Sequence, residues 1–359
     1  MKYALSILLA LGVTGLSLYG LYAPDPIAGQ SSKKIYHTHS ERGFSEIHRE
    51  IKIKRQATVL GAGERSGSVP EPENHYEYVS PYISAADIAV LGGSSVESAE
   101  EREVKTLMDA GFNAVSLSGT PYRTDSIKKT LMSLEKSGIT YTGVYSSDKD
   151  KNRLRTQEIN GITFAFLSFT YGPEEADKEV PAGEYIVSRV EEDSLAERIR
   201  EASGKSDIVI LNLHYLTESG DYPDGTQTSV ASMAAEAGAD IIFGHRQGTL
   251  HPLEWLNTRD GRKVFTAYSL GKMPAEGLVE KHDIGGMASI TVKDVAAGPA
   301  SNLILDDPRF ITAYSDADHG SLLPASAMSD MILPGWEQHF KDAEDFAGQW
   351  MNDLLSVTE

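Results

Sequence analysis

The sequence predicts a mixed α/β layered fold. Three observations carry that expectation. Short apolar runs at 57–60, 88–91, 114–117, 164–169, 208–213 and 241–243 have the length and the bounding residues of buried strands. Segments with helical apolar spacing lie between them, and alternation of the two kinds marks sheets covered by helices. Asn160-Gly161, set between Gln157-Glu158-Ile159 and Ile162-Thr163-Phe164, is a strong hairpin signal, so antiparallel pairing enters the alternating pattern.

Taken in order, the chain opens with an uncharged run of twenty residues, 4–23, broken only by Ser, Thr, Gly and Tyr. That length spans a bilayer. Leu21-Tyr22-Ala23 leads into Pro24, a poor junction for signal cleavage. Residues 1–23 therefore read as an uncleaved transmembrane anchor, and the protein as a single-pass protein of the cell membrane with its domain on the extracytoplasmic side. Charge alone does not set the orientation, because Lys2 on one flank faces Lys33 and Lys34 on the other. Residues 24–56 read as a stalk, whose basic group Arg49, Lys52, Lys54 and Arg55 is a solvated face. His37, His39 and Glu41 have a metal-like composition, but they sit in the stalk without a fixed scaffold and read as surface.

The main domain is expected over 57–312. A capping box, Ser98 with Glu101, opens a helix that ends at Gly111. A second helix runs from about 125 to 137 and stops at Gly138, since glycine accepts the left-handed backbone at a helix end. Strands are expected again at 287–292 and 302–311. In a C-terminal extension, 313–359, Trp336, Phe340, Ala343, Ala347, Trp350 and Leu354 recur at alternating four- and three-residue steps, which places them on one apolar helical face. Packing against its own domain is the expected use of that face.

Composition removes several classes of function. A chain of 359 residues with 40% hydrophobic and 24% charged residues builds a sizeable globular core. Its 52 acidic against 33 basic residues, a net charge of −19, argue against a nucleic-acid partner. The absence of cysteine excludes disulfides, zinc ribbons, a thiol nucleophile and a lipid-bearing cysteine. No Gly-x-Ser-x-Gly elbow, Walker loop or dinucleotide fingerprint is present.

The most specific stretch is 208–271. A buried strand ends in Asn212-Leu213-His214, followed by Glu218 and Gln227; Ala237-Gly238-Ala239-Asp240 leads to Phe243-Gly244-His245 and Arg246; His251-Pro252-Leu253-Glu254 and Ala267-Tyr268-Ser269-Leu270-Gly271 come after. Polar groups placed directly after buried strands gather on the carboxyl edge of a sheet, where α/β ligand sites form. His214, Glu218, His245 and Arg246 are the candidate pocket.

At these residues the sequence resembles the CapA family of capsule-synthesis proteins, associated with poly-γ-glutamate. The family pattern has a strand ending in His-Trp-Gly, then Gly-Ala-Asp with an apolar triplet and Gly-His-His-Pro-His, then Tyr-Ser-Leu-Gly-Asn-Phe. This chain keeps the order and spacing of all three. The resemblance extends through Tyr78-Val79-Ser80-Pro81, Ala86-Asp87-Ile88 and Asp109-Ala110-Gly111-Phe112 to cover about 57–275. It implies a layered α/β/β/α sandwich of the calcineurin-type metallophosphoesterase kind, with an N-terminal transmembrane anchor.

The departures fall on positions that look like the family's metal ligands. Gly-Asp is Gly61-Ala62 here, Asn-Leu-Glu is Gly92-Gly93-Ser94, and Asn-Asn-His is Gly119-Thr120-Pro121. Gly-His-His-Pro-His is Gly244-His245-Arg246-Gln247-Gly248, and the closing Asn-Phe is Lys272-Met273. Of the implied ligands only His214 and His245 remain. A two-metal hydrolytic site needs a full ligand set, including a carboxylate near both ions, to hold the cations about 4 Å apart. Arg246, and Lys272 if it points inward, would repel a divalent ion.

His214 and His245 thus have two readings, as hydrogen-bonded core histidines or as ligand-binding groups. Glu218 reads as a solvated loop carboxylate, and Asp240 as a turn cap. The function expected from the resemblance is a component of poly-γ-glutamate capsule synthesis or export without catalytic activity, catalytic residues or a cofactor. The membrane, other capsule synthesis or export proteins and an anionic polymer are its expected partners, and nucleic acid is not. The alternative is a metal-dependent hydrolase, a phosphoesterase or γ-glutamyl hydrolase, using a divalent metal.

Overall fold

Strands of alternating and of continuous burial pattern divide the chain's apolar residues among three layers. A computed structural model describes residues 52–64, 75–92, 101–118, 124–171, 186–190, 192–215, 220–245, 248–271, 284–297, 300–316 and 320–357. In chain order the strands are β1 (Lys52–Glu64), β2 (Ile88–Gly92), β3 (Ala114–Ser116), β4 (Thr140–Thr142), β5 (Val144–Tyr145), β6 (Arg155–Ile159), β7 (Ile162–Tyr171) and β8 (Ile186–Val187). They continue with β9 (Ile208–Tyr215), β10 (Ile241–His245), β11 (Leu253–Asn257), β12 (Lys263–Ala267), β13 (Ile284–Ala297), β14 (Ala300–Asp316), β15 (Ser321–Pro324) and β16 (Leu355–Ser356). The helices are α1 (Ser80–Ser84), α2 (Glu101–Ala110), α3 (Thr124–Ser137), α4 (Asp148–Asn152), α5 (Glu192–Ser203), α6 (Gly225–Ala237) and α7 (Trp336–Ala347).

Two mixed sheets result. The first has the order β15-β14-β13-β1-β2-β3-β4, with β16 beside β14, and the second the order β11-β12-β10-β9-β7-β6. Because side chains alternate along β1, Ala57 and Val59 face the second sheet, where they meet Phe164, Ile210 and Phe243. Leu60 and Ala62 face outward instead, under Ile83 of α1, Leu107 of α2 and Leu131 of α3. The second sheet repeats the arrangement. Val209, Leu211 and Ile242 point away from the first sheet and pack on Leu195 and Ile199 of α5 and Val230 and Ala234 of α6. Two sheets thus meet face to face with helices outside each, as the α/β expectation requires.

Local signals explain the register. Asn160 (φ 53) and Gly161 (φ 77) both take the left-handed backbone, and β6 and β7 pair antiparallel across them with Ile159 opposite Ile162. Asp87, Asp207 and Asp240 stand before β2, β9 and β10, and each carboxylate accepts a backbone N–H of the neighbouring strand: Thr58 at 2.8 Å, Thr163 at 2.9 Å and Val209 at 2.9 Å. A repeated Asp-Ile therefore fixes where three parallel strands begin. The two expected helix stops hold, with positive φ at Gly111 and Gly138. Ser98 of the expected capping box lies outside the described residues.

Several expectations need new boundaries. β1 begins at Lys52, so Lys52, Lys54 and Arg55 belong to the sheet and not to the stalk. Arg55 pairs with Asp294 of β13 at 2.7 Å. The break placed between 312 and 313 falls inside β14. α7 ends at Ala347; Trp350 follows in an isolated bridge to Glu254, and Leu354 lies beyond it. Its stripe packs internally: Trp336 and Phe340 on Tyr314, Leu323 and Leu333, and Ala347 with Met351 at the inter-sheet layer. Among the described residues no helix is long and apolar enough to cross a membrane. The anchor and most of the stalk, including His37, His39 and Glu41, lie outside them.

Candidate functional site

His214 and His245 close two adjacent parallel strands. β9 and β10 run in register so that His245 stands opposite His214, and Phe243 opposite Asn212. Both histidines are buried, at 0% and 2% exposure. His245 Nε2 lies 3.0 Å from the buried Asn212 Oδ1, which makes the ring nitrogen the donor and leaves the carboxamide oxygen as acceptor.

Across the sandwich, the His245 ring rests on the end of β2. A Cβ placed on Gly92 would lie 1.9 Å from Cε1 and 2.1 Å from Nδ1 of that ring, closer than any real contact allows. Only glycine at 92 admits the imidazole in this position. Ala62 of β1 is buried and presents a methyl group. Hydroxyls stand beside these strands: Ser116 and Ser118 share a hydrogen bond of 2.6 Å, and Thr142 and Ser168 bridge the two sheets at 2.5 Å.

The rest of the specific stretch is structural framework. Gln227 and Asp224 form a reciprocal capping box at the start of α6, with bonds of 2.8 and 2.9 Å. Asp240 sits at the amino end of β10, the end opposite His245. Burial pushes its carboxyl up to about 6, against the pull of the Val209 N–H and of Arg262 at 3.0 Å. His251 Nε2 donates to the Gly220 carbonyl at 2.9 Å, and burial draws this imidazole below its ordinary value although that carbonyl, Asp221 and Asp224 favour the charged form. Tyr268 donates to Glu254 at 2.8 Å; burial and that carboxylate raise its phenol. Ser269 donates to the Thr249 carbonyl at 2.7 Å, and Leu250 bridges Leu270, so the third family motif closes on the second.

Of the four candidate residues, the structure brings His214 and His245 together, while Glu218 and Arg246 lie outside the described residues. Asn212, the partner of His245, is a residue that the sequence reading left without a role. Its signal was its place two residues before His214, which puts both side chains on one face of the strand.

The described residues do not fit a pair of divalent ions. Two imidazoles, one already engaged with a carboxamide, stand where a carboxylate-bearing set is needed, and no group of three or more His, Asp or Glu side chains converges among the described residues.

Comparison with known proteins supports the family resemblance. The capsule biosynthesis protein CapA of Bacillus anthracis is 30% identical over 184 residues, 48% of this chain and 43% of that protein. The PGA biosynthesis protein CapA of Bacillus subtilis (strain 168) is 32% identical over 177 residues, 48% of this chain and 44% of that protein. The match thus spans less than half the length of these curated relatives. Among solved structures, the NAD nucleotidase of Haemophilus influenzae aligns at 10% identity with a TM-score of 0.47, over 85% of this chain and 57% of that chain. A hypothetical protein from Thermus thermophilus aligns at 14% identity with a TM-score of 0.46, over 71% and 99%. The model of the bacterial capsule synthesis protein family PGA_cap matches residues 47–274, well over half of the chain, and the chain belongs to that family.

Proposed function

We propose that this chain is a membrane-tethered, extracytoplasmic component of poly-γ-glutamate capsule synthesis or export that acts without catalysis, by scaffolding or by contact with the polymer and its machinery. One observation carries the non-catalytic part: the His245 imidazole is packed on Gly92 and hydrogen-bonded to Asn212, in a site that has Ala62 in place of a carboxylate. Family membership supports the capsule part. The calcineurin-type layering implied by the motifs is supported by the two facing sheets with helices outside each.

The test joins genetics to analysis of metal. Deleting the gene is expected to abolish or reduce cell-bound poly-γ-glutamate, and a His214→Ala, His245→Ala chain that still folds is expected to restore it. Elemental analysis of the dialysed full-length protein is expected to find no stoichiometric metal, and an aryl-phosphate assay with manganese, zinc or iron no turnover. The alternative, a metal-dependent phosphoesterase or γ-glutamyl hydrolase, is favoured by the in-register pairing of His214 and His245. About one tightly held metal per chain, with activity lost in His214→Ala, would establish it instead.

A further inference from the structure

We propose that Tyr222 and Trp350, at the β11 edge of the second sheet, form a docking platform for an arginine-bearing basic segment of a partner protein. The inference stands apart from the capsule reading and uses neither histidine of the candidate site.

Four aromatic rings meet at this edge. Tyr222, in the loop before α6, stacks on Trp350 with ring centroids 5.9 Å apart and 28° between the planes. Phe346 of α7 meets Tyr222 edge-on at 5.4 Å, and Tyr268 meets Trp350 edge-on at 6.3 Å. Tyr268 is buried, yet Tyr222 and Trp350 stay 49% and 42% exposed. Large rings left half in water gain by covering, and tryptophan and tyrosine are the residues on which interface energy concentrates. The pair is also held in place. The backbone of Trp350 bridges Glu254 of β11 and its ring packs on Tyr268, so little freedom is lost when a partner arrives.

Charge selects the occupant. Residues 220–225 carry Asp221 and Asp224, residues 342–354 carry Asp342, Glu344, Asp345 and Asp353, and neither stretch has a Lys or Arg. Asp221 adjoins Tyr222 and is exposed; Asp342, one turn before Phe346 on the same side of α7, is exposed as well. Asp353 accepts from Trp255 Nε1 at 2.8 Å, and Glu254 from the Tyr268 hydroxyl at 2.8 Å. Both donors are neutral, so these bonds leave the carboxylate charge in place. An acidic rim around exposed rings is complementary to a cation.

The same edge already displays the chemistry. The Lys263 ammonium lies 5.5 Å from the centroid of the Trp255 ring, and the indole N–H of that ring bonds Asp353. Trp255 thus has a cation on its face and a carboxylate at its edge. Among the described residues no cation lies over Trp350 or Tyr222. Arginine fits these two best, because a planar guanidinium stacks on an open ring while its N–H fork reaches a carboxylate beside it. A quaternary ammonium is held by a cage of rings, and this pair is open.

The probe is a fluorescent peptide of alternating arginine and serine, titrated against the full-length chain in detergent and read by anisotropy. Binding is expected, weaker as salt rises and weaker again for the lysine counterpart. An acidic protein attracts any polycation, so the decisive variants keep its charge. Trp350→Leu and Tyr222→Leu are each expected to weaken binding about fivefold or more, and Trp350→Tyr to retain most of it. Asp221→Asn with Asp342→Asn should also cost about fivefold, whereas Glu158→Gln with Glu197→Gln, exposed on β6 and α5, makes the same charge change and should stay within about twofold. Thermal melts show that each variant folds; if Trp350→Leu does not, Tyr222→Leu and the aspartate pair decide. Absence of binding by the wild type overturns the platform, as do ring variants within about twofold of it or equal losses from the two charge-changed pairs. Choline displacing the peptide as well as unlabelled arginine peptide does would make this a small-cation site and overturn the peptide reading.

Discussion

His245 and Gly92 come from different sheets, and their contact decides the character of the candidate site. Glycine, with no Cβ, leaves room at the end of β2 for the imidazole ring, and the ring's hydrogen bond to Asn212 ties β10 to β9 within the second sheet. Gly92→Ala is expected to destabilise the protein by about 1–3 kcal/mol, as overpacking does. Because the clash is with His245 itself, Gly92→Ala combined with His245→Ala should be more stable than the sum of the two single changes predicts, by about 1–3 kcal/mol. Urea melts of the four proteins check this. Additive costs would mean that the ring does not rest on residue 92. The contact was invisible in the sequence, which shows a glycine-rich turn and a histidine far apart along the chain.

At the scale of elements, the β6–β7 hairpin and α7 make separable predictions. Gly161→Ala places a side chain in left-handed backbone, at a cost of about 1–2 kcal/mol in a thermal melt. Phe340 is buried under α7, and Phe340→Ala is expected to cost about 3–5 kcal/mol. Trp350 lies past the helix end, 42% exposed, stacked on Tyr222 and edge-on to Tyr268, so Trp350→Ala should cost about half as much. A larger loss at Trp350 than at Phe340 would contradict this packing. The α4 turn titrates. Burial alone would raise the Asp150 carboxyl, but hydrogen bonds from Arg155 and the Ser146 N–H, with the charges of Arg155 and Arg153, outweigh it and hold the group below its ordinary value. A lowered carboxyl contributes stability above its unfolded value, about 3.9, and loses it as pH falls through the folded one. Asp150→Asn is therefore expected to melt below wild type at pH 7, with the gap closing below about pH 4. A gap that persists in acid would show that shape and not charge holds the turn.

For the molecule as a whole, an apolar layer lies between the sheets. It joins Ala57, Val59 and Val90 of the first sheet to Phe164, Ile210 and Phe243 of the second, and α7 extends it through Ala347. A fold held this way is expected to stand without an ion. Dialysis against a strong chelator is expected to leave the melting temperature unchanged, whereas a fold closed by a metal would lose stability with its ligand. A fall in melting temperature that manganese or zinc reverses would count against that expectation.

The α/β class, the Asn160-Gly161 hairpin, the helix stops at Gly111 and Gly138 and the order of the family motifs were all readable along the chain, because each depends on residues within a few positions of one another. The strand β1 was seen only in part, since its polar start, Lys52 to Gln56, is held by pairing with β13 far downstream. The end of α7 was overshot because the apolar spacing continues past Gly348 while the backbone turns. Tertiary structure alone decided that His214 and His245 are buried and that His245 rests on Gly92 and bonds Asn212. Those depend on which strands the fold lays side by side, and a contact between distant strands leaves no local pattern to read.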